Sequence, residues 1–403
     1  MNSARKQQEW TQDRLGQAQA AHLRFLTGQP QGRRAVFCGD SLQGLDLSGQ
    51  DWRDADFSNC LLDGCCLDGA DFSGAKLAGA SLKQASLIAT HLDGADLRGC
   101  DLTEARLIAC TALGTDFREF ASSDSDGKFS SKPARLDGAD LAGAALGKAR
   151  LAGVSAQKAC FDDADLGLAR LNRADLSGAS LRGARLKGSD LGSANLEGAD
   201  LRGSDERQAR TEQASTQNCQ TGADPARREP PETRQPDRPA DTLFDRHEQR
   251  VAGRKPDEVD LSGLDLTEAR ETRGRALTAL RAMGSDLSGL DLTGAQLQGA
   301  RLSGSDLRSC ILHKADLRGA DLSNTLMSHA DLSGADLSPL MLGAGRVLPV
   351  NLSGASLRFA DLSGAQFDQT RLDGADLNYV RIDRDSLTAL GLPGEQTRTA
   401  ITR

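Results

Sequence analysis

The chain has 403 residues, a formal charge of −8, 38% apolar residues but only 3% aromatic ones, and 43 glycines. So few large side chains speak against an ordinary globular interior, and no apolar run approaches the roughly 18 residues of a membrane span. The polar start MNSARKQQEW lacks the apolar stretch of a signal peptide, and nine cysteines without a C-x-x-C pair read as reduced thiols, so a cytoplasmic protein is expected.

Residues 1–34 carry about +4. A helix is predicted over 3–27, with Trp10, Ala18, Ala21 and Phe25 on one face, Leu15, His22 and Leu26 beside it, and Gly28 and Pro30 ending it. Such a helix suits an N-terminal cap over the end of the next segment; docking of a partner, helped by Arg5, Lys6 and Arg14, is the alternative.

Residues 35–204 repeat every five positions. A large apolar residue recurs as Phe37, Leu42, Leu47, Trp52 and Phe57 through to Phe117, with Ala112 the exception, and again from Leu136 to Leu201, broken at Ala156. Two positions earlier the residue is small, as at Ala70, Ala75, Ala80 and Ala85. Five helical steps of about 100° would scatter these leucines around the cylinder, and an odd period on a flat strand would send them to opposite faces. A backbone that turns a corner every five residues lets each unit point inward. The frame slips once, implying a polar, Ser-rich loop insert at 118–133.

Residues 205–257 read as a Pro-rich disordered linker with six prolines, in which a short helix could present Phe244, His247 and Val251 as a cap. Residues 258–392 form a second solenoid. Its frame runs from Leu287 to Leu377 with Met327 and Val347 as mild variants, and Ile382, Leu387 and Leu392 extend it. A second slip, with Ala269, Ala276, Leu277, Leu280 and Met283 at helical spacing, predicts a helical insert at 267–284; residues 393–403 are left as a tail.

Runs such as ADLSGASLRGARLKGSDL and ADLRGADL resemble the pentapeptide-repeat family. The resemblance implies an all-β chain: a right-handed quadrilateral β-helix in two rods, four repeats per coil, with residues twenty apart stacked in columns. Phe37 and Phe57 then share one column, Trp52 and Phe72 another.

No catalytic, cofactor-binding or metal-binding residue stands out. The five histidines (22, 91, 247, 313 and 329) have no metal-ligand spacing, and Cys60, Cys65, Cys100, Cys110 and Cys310 take the inward small position. Outward apolar residues are the candidate interaction surface: Ile88, Ile108 and Leu113; Leu326, Met341 and Leu348 near Pro339 and Pro349; and the pair Phe359 and Tyr379. Asp56, Asp96 and Asp116 form a candidate acidic face, interrupted by Lys76, while Arg150 and Arg170 stack in the next block. The expected function is a non-catalytic scaffold that binds a protein partner or itself through its outer faces, without direct nucleic-acid binding. The resemblance supplies two alternatives: a DNA mimic that binds a type II topoisomerase such as gyrase, and a component or cargo of a bacterial secretion or phage-like apparatus.

Overall fold

The computed structural model describes residues 10–123, 129–224, 229–254, 259–343, 345–390 and 400–402. It divides into two compact units, Met1–Arg227 and Arg228–Arg403. Each is built on a right-handed quadrilateral β-helix.

The five-residue period becomes a four-sided coil because the bridges recur at an offset of twenty: Val36 bridges Asp56, Asp56 bridges Lys76, then Asp96 and Asp116 follow. The Phe37 N–H donates to the Asp56 carbonyl at 2.7 Å, the Asp56 N–H to the Ala35 carbonyl at 3.0 Å, and the corner is closed by the Asp40 N–H on the Phe37 carbonyl at 2.8 Å. Corner residues adopt a left-handed backbone, φ 77° at Gly39 and 69° at Gly44, which explains the glycine in the repeat. Inside, the large and the small residues fill the axis, and Leu67, Ala70, Phe72 and Ala75 are wholly buried. Phe37 and Phe57 stack at 4.8 Å as their column requires, and Trp52 meets both at 5.5 and 5.6 Å.

Polar residues in the small position mostly turn to a carbonyl of the coil, the Ser189 hydroxyl being an exception without a partner among the described residues. The thiols of Cys60, Cys65, Cys100 and Cys310 donate to the carbonyls of Phe37, Leu42, Leu77 and Leu287 at 2.7–2.9 Å, each 23 residues earlier, as do the hydroxyls of Thr90 and Thr115 to Leu67 and Leu92. That carbonyl already accepts a corner N–H, so the side chain uses its second lone pair. Burial pushes the Cys60 and Cys110 thiols up to about 12 and Cys65 to about 11, and raises Cys100 and Cys310 as well. A thiol reagent added to the native protein is therefore expected to label exposed Cys38 quickly and these five only after unfolding. Fast native labelling of any of the five, read by peptide mass spectrometry, would contradict this packing.

The ends and breaks differ from expectation in several places. Helix α1 spans Gln12–Leu26, with Thr11 as N-cap; residues 3–9 of the expected helix lie outside the described residues. It docks through Leu15 and His22, while Phe25 keeps 42% of its surface in solvent. The loop insert at 118–133 contains an antiparallel hairpin, β1 (Phe120–Ser123) with β2 (Phe129–Lys132), and the coil resumes across it at an offset of 34.

The linker expected from residue 205 begins later. Asp205, Arg210, Ser215 and Gln220 continue the bridges of the first coil. The repeat is hidden there because the large residue is replaced by Glu206, Thr211, Thr216 and Thr221, all exposed, while Ala209, Ala214 and Cys219 keep the small position. This last, polar coil covers Leu196 and Leu201, which are 2% and 4% exposed. Nor is the following stretch disordered throughout: Arg234 bridges Leu264, and helix α2 spans Ala240–Val251 with Phe244 and His247 fully buried and Val251 41% exposed.

No helix forms over 267–284. Bridge offsets of 21 at Asp260–Arg281 and 20 at Ala276–Gln296 show one extra residue accommodated within a coil. The apparent helical spacing arises from an exchange of sizes: Leu280 occupies the small position and Ala282 the large one, both wholly buried, so total volume is kept. Val154 and Ala156 make the same exchange in the first unit.

The second unit also hides an insert. Strands β3 (Leu340–Met341) and β4 (Val347–Leu348) form a hairpin, and Asp321 bridges Asn351 at an offset of thirty. Val347 and Leu342 are therefore exposed hairpin residues, not inward repeats. At the C-terminal end, β5 (Arg381–Ile382) is followed by helix α3 (Arg384–Ala389), which carries Leu387, and pairs in parallel with β6 (Ile401–Thr402). The expected tail thus returns to the last coil; Leu392 lies outside the described residues.

Candidate interaction surfaces

The acidic column exists as a stack but not as a free charge surface. Asp96 and Asp116 each hold the arginine two residues on, with Arg98 and Arg118 Nη2 at 2.7 Å; Arg150 approaches Asp116 at 3.5 Å, and Arg34 approaches Asp56 at 3.9 Å. The cause is local. In the coil the N–H just after each large residue has no ladder partner, and an aspartate just before that large residue accepts it, as Asp46 does from Ser48 at 2.9 Å and Asp71 from Ser73 at 2.9 Å. An arginine in the Ser48 position then folds back onto the same carboxylate. Arg53 on Asp51 and Arg202 on Asp200 hold those carboxyls below the usual range; for Asp116, burial acts upward, but hydrogen bonds from Arg118 prevail. Where serine or threonine replaces that aspartate, one from the preceding coil takes over, as Asp63 does for Ser81 and Lys83, and Asp68 for Ser86 and Ile88.

The apolar candidates do not form one surface. Ile88 is half-buried and Ile108 is buried at 5% exposure; Leu113, 53% exposed, belongs to the next side of the coil, because five residues advance the chain by one side. Leu326 takes a bridge position between Asp306 and Ser356 and is buried, so it does not join Met341 and Leu348. Those two lie together on the β3–β4 hairpin, where Met341 is 67% exposed, with Leu342 and Val347, which the intact five-residue frame had concealed. The hairpin roots itself over a corner glycine. A Cβ on Gly319 would sit 2.7 Å from Leu340 Cβ and 3.1 Å from Leu348 Cδ2, just as one on Gly99 would meet Phe120 Cβ at 2.5 Å beneath the first hairpin.

Phe359 and Tyr379 stack at 4.9 Å with their planes 1° apart, and His329 extends the ladder at 5.4 Å from Phe359. His329 stands thirty residues before Phe359, and the ten-residue insert conceals that pairing from a search at twenty. Leu168 carried no such signal in the sequence. It is 58% exposed at a corner position where the repeat normally has glycine.

Among the described residues no group of three or more His, Cys, Asp or Glu could hold a metal ion, and no helix is long and apolar enough to cross a membrane. The family model for pentapeptide repeats matches the chain in eight copies, over residues 41–79, 65–103, 134–173, 169–205, 285–324, 306–338 and 351–384, more than half its length. The chain belongs to the pentapeptide-repeat family. This pentapeptide-repeat protein is similar to HetL, a protein involved in heterocyst differentiation regulation from the cyanobacterium Nostoc sp. strain PCC 7120, at 22% identity over 89% of this chain and 94% of that one, with a TM-score of 0.17. It is similar to QnrB1, a plasmid-mediated fluoroquinolone resistance protein, at 20% identity over 45% of this chain and 93% of that one, TM-score 0.27. With Rfr23 from the cyanobacterium Cyanothece 51142 it shares 26% identity over 30% of this chain and 91% of that one, TM-score 0.22. No curated protein matches it.

Proposed function

We propose that this pentapeptide-repeat protein is a non-catalytic scaffold of a reducing, cytoplasmic compartment that binds a protein partner chiefly through the β3–β4 hairpin. The observation that carries this reading is the cluster of Met341, Leu342, Val347 and Leu348, 67%, 49%, 42% and 39% exposed, on a protruding turn whose base is packed onto the coil. Four large apolar side chains held in water cost stability that neighbouring polar repeats do not, and contiguous exposed apolar groups are typical of contact sites. A duplex mimic aimed at gyrase draws less support, because the carboxylates of Asp56, Asp96 and Asp116 lie against arginines and cap the coil.

The insert is two repeats long, so deleting residues 339–348 and replacing Pro349 with glycine, since proline cannot adopt the corner φ, leaves an uninterrupted coil. Wild type and this variant would be compared by cross-linking and mass spectrometry in cells of the source organism. Loss of specific partners in the variant is expected; identical partner profiles would defeat the proposal. Inhibition of supercoiling by purified gyrase at stoichiometric protein would favour the mimic instead.

A further inference from the structure

The first unit carries a notch on the side of the coil that holds Leu113. In this column, one position after the large residue, Leu113 is succeeded by Gly147, Gly167 and Lys187. Gly147 and Gly167 do not adopt a left-handed backbone, so no turn requires them to be glycine. Their effect is to leave out two successive side chains and open a notch of about 510 Å³ down to the backbone. A Cβ on Gly147 would lie 3.2 Å from Leu113 Cδ2, and one on Gly167 3.3 Å from Arg185 Nη1, so any larger residue would begin to fill it.

Leu113 and Leu168 both line it, 53% and 58% exposed. Leu168 is costly twice over: it leaves most of its side chain in water, and it holds φ at 58°, in the region that suits glycine, with its Cδ2 lying over Gly188. Other corners hold long side chains at the same φ, Lys148 at 59° and Arg173 at 61°, so what sets Leu168 apart is an apolar side chain left in solvent. The rim is cationic. Lys148 and Lys187 flank the notch, and its one carboxylate, Asp165, is engaged by Arg185 at 3.0 Å.

We infer that this notch takes an extended acidic segment of a protein partner, seating one leucine, isoleucine or phenylalanine between Leu113 and Leu168 with a neighbouring carboxylate against Lys148 and Lys187. This deepens the scaffold reading and rests on it, but at a site separate in sequence from the β3–β4 hairpin. Charge complementarity selects an acidic segment, and the width of a single column selects a single extended chain. Another coil of this protein is a poor occupant, because coil aspartates are largely engaged by their own turns and arginines.

A random dodecapeptide phage library panned on the full-length chain is expected to enrich sequences with an aliphatic or phenylalanine anchor beside Asp or Glu. A synthetic consensus peptide, tracked by fluorescence anisotropy, should bind Leu168→Gly about tenfold more weakly, the loss expected for one leucine wall. The melting temperature should not fall, because glycine suits that φ. Leu113→Ser and the double change Lys148→Glu, Lys187→Glu should also weaken binding, and the hairpin deletion should leave it unchanged. Enrichment of basic peptides or of none, or equal binding by Leu168→Gly, overturns the inference. Peptide binding lost with the hairpin deletion would move the contact to β3–β4, sparing the scaffold reading and sinking this one. Self-association in sedimentation velocity that disappears in Leu168→Gly would identify a second copy as occupant and likewise overturn it.

Discussion

Replacing Trp52 with alanine is expected to lower the stability of the first unit by about 3–5 kcal/mol, the range for removing a large aromatic from a packed interior. Trp52 is wholly buried and touches Phe37, Phe57 and the His22 ring, at 5.5, 5.6 and 5.8 Å between centroids, so its loss empties the junction between α1 and the first coils. A stacked solenoid side cannot collapse into the hole without breaking bridges such as Asp51 to Asp71. The chain has two tryptophans, and Trp10 sits 4.9 Å from Phe37 in the same cluster, so urea unfolding monitored by the remaining fluorescence reports on this unit. Trp52→Phe should cost much less: it keeps a ring in place and removes an indole N–H that is buried without a partner among the described residues. Equal midpoints for wild type and Trp52→Ala would mean that the aromatic cluster does not hold the cap.

The second large effect is acid sensitivity centred on two histidines. Each unit has, ahead of most of its coils, a helix whose buried histidine reaches a backbone carbonyl 31 residues later: His22 Nε2 to Arg53 at 3.0 Å, and His247 Nε2 to Thr278 at 3.1 Å. The Ala35 N–H donates to His22 Nδ1 at 3.2 Å, so that nitrogen is an acceptor and Nε2 carries the proton. A second proton would set two donors face to face at Ala35. At His247 the Nδ1 is buried with no partner among the described residues, so its proton would have no acceptor. Burial is the main reason that both histidines titrate below their ordinary value near 6.5; Arg34 and Arg250 add to it, while the two backbone bonds and the nearby Asp51, Asp54 and Glu248 oppose it.

With the folded value below the unfolded one, the unfolded chain binds more protons in the interval between them. Stability is therefore complete above about pH 6.5 and falls as the pH drops toward the folded values. Aspartates such as Asp51 and Asp200, also lowered in the folded state, add their loss only below about pH 4, so the two windows separate. Denaturation between pH 7.5 and 5 should show declining midpoints in wild type and a flatter profile in His22→Gln with His247→Gln. A double variant as pH-dependent as wild type would remove the histidines from this role.

Much of the coil was legible beforehand because its rule is one-dimensional. Phe37 with Phe57, and Asp56 with Lys76 and Asp96, can be paired by counting in twenties once the backbone is known to turn every five residues. Counting failed where the chain kept the count and changed the path. The β3–β4 insert adds ten residues, two whole repeats, so Leu342 and Val347 fall in frame while lying outside the coil. It failed in the opposite way at 205–220, where the coil continues after its leucines have been exchanged for Glu206 and three threonines. Size exchange at Leu280 and Ala282 imitated a helix, because two positions were judged singly although they share one volume.

Within an uninterrupted run of repeats, then, the order of residues determined which side chains point inward and which stack, since both depend there only on the period. What tertiary structure decided is how the outer surface is used: that aspartates are engaged by coil N–H groups and arginines, that Ile108 and Leu326 are closed in, that Met341 and Leu348 share a hairpin, and that Leu113 and Leu168 line one notch beside missing side chains. Outward positions carry no period of their own, and their neighbours depend on inserts, offsets and rotamers that exist only once the coils are stacked.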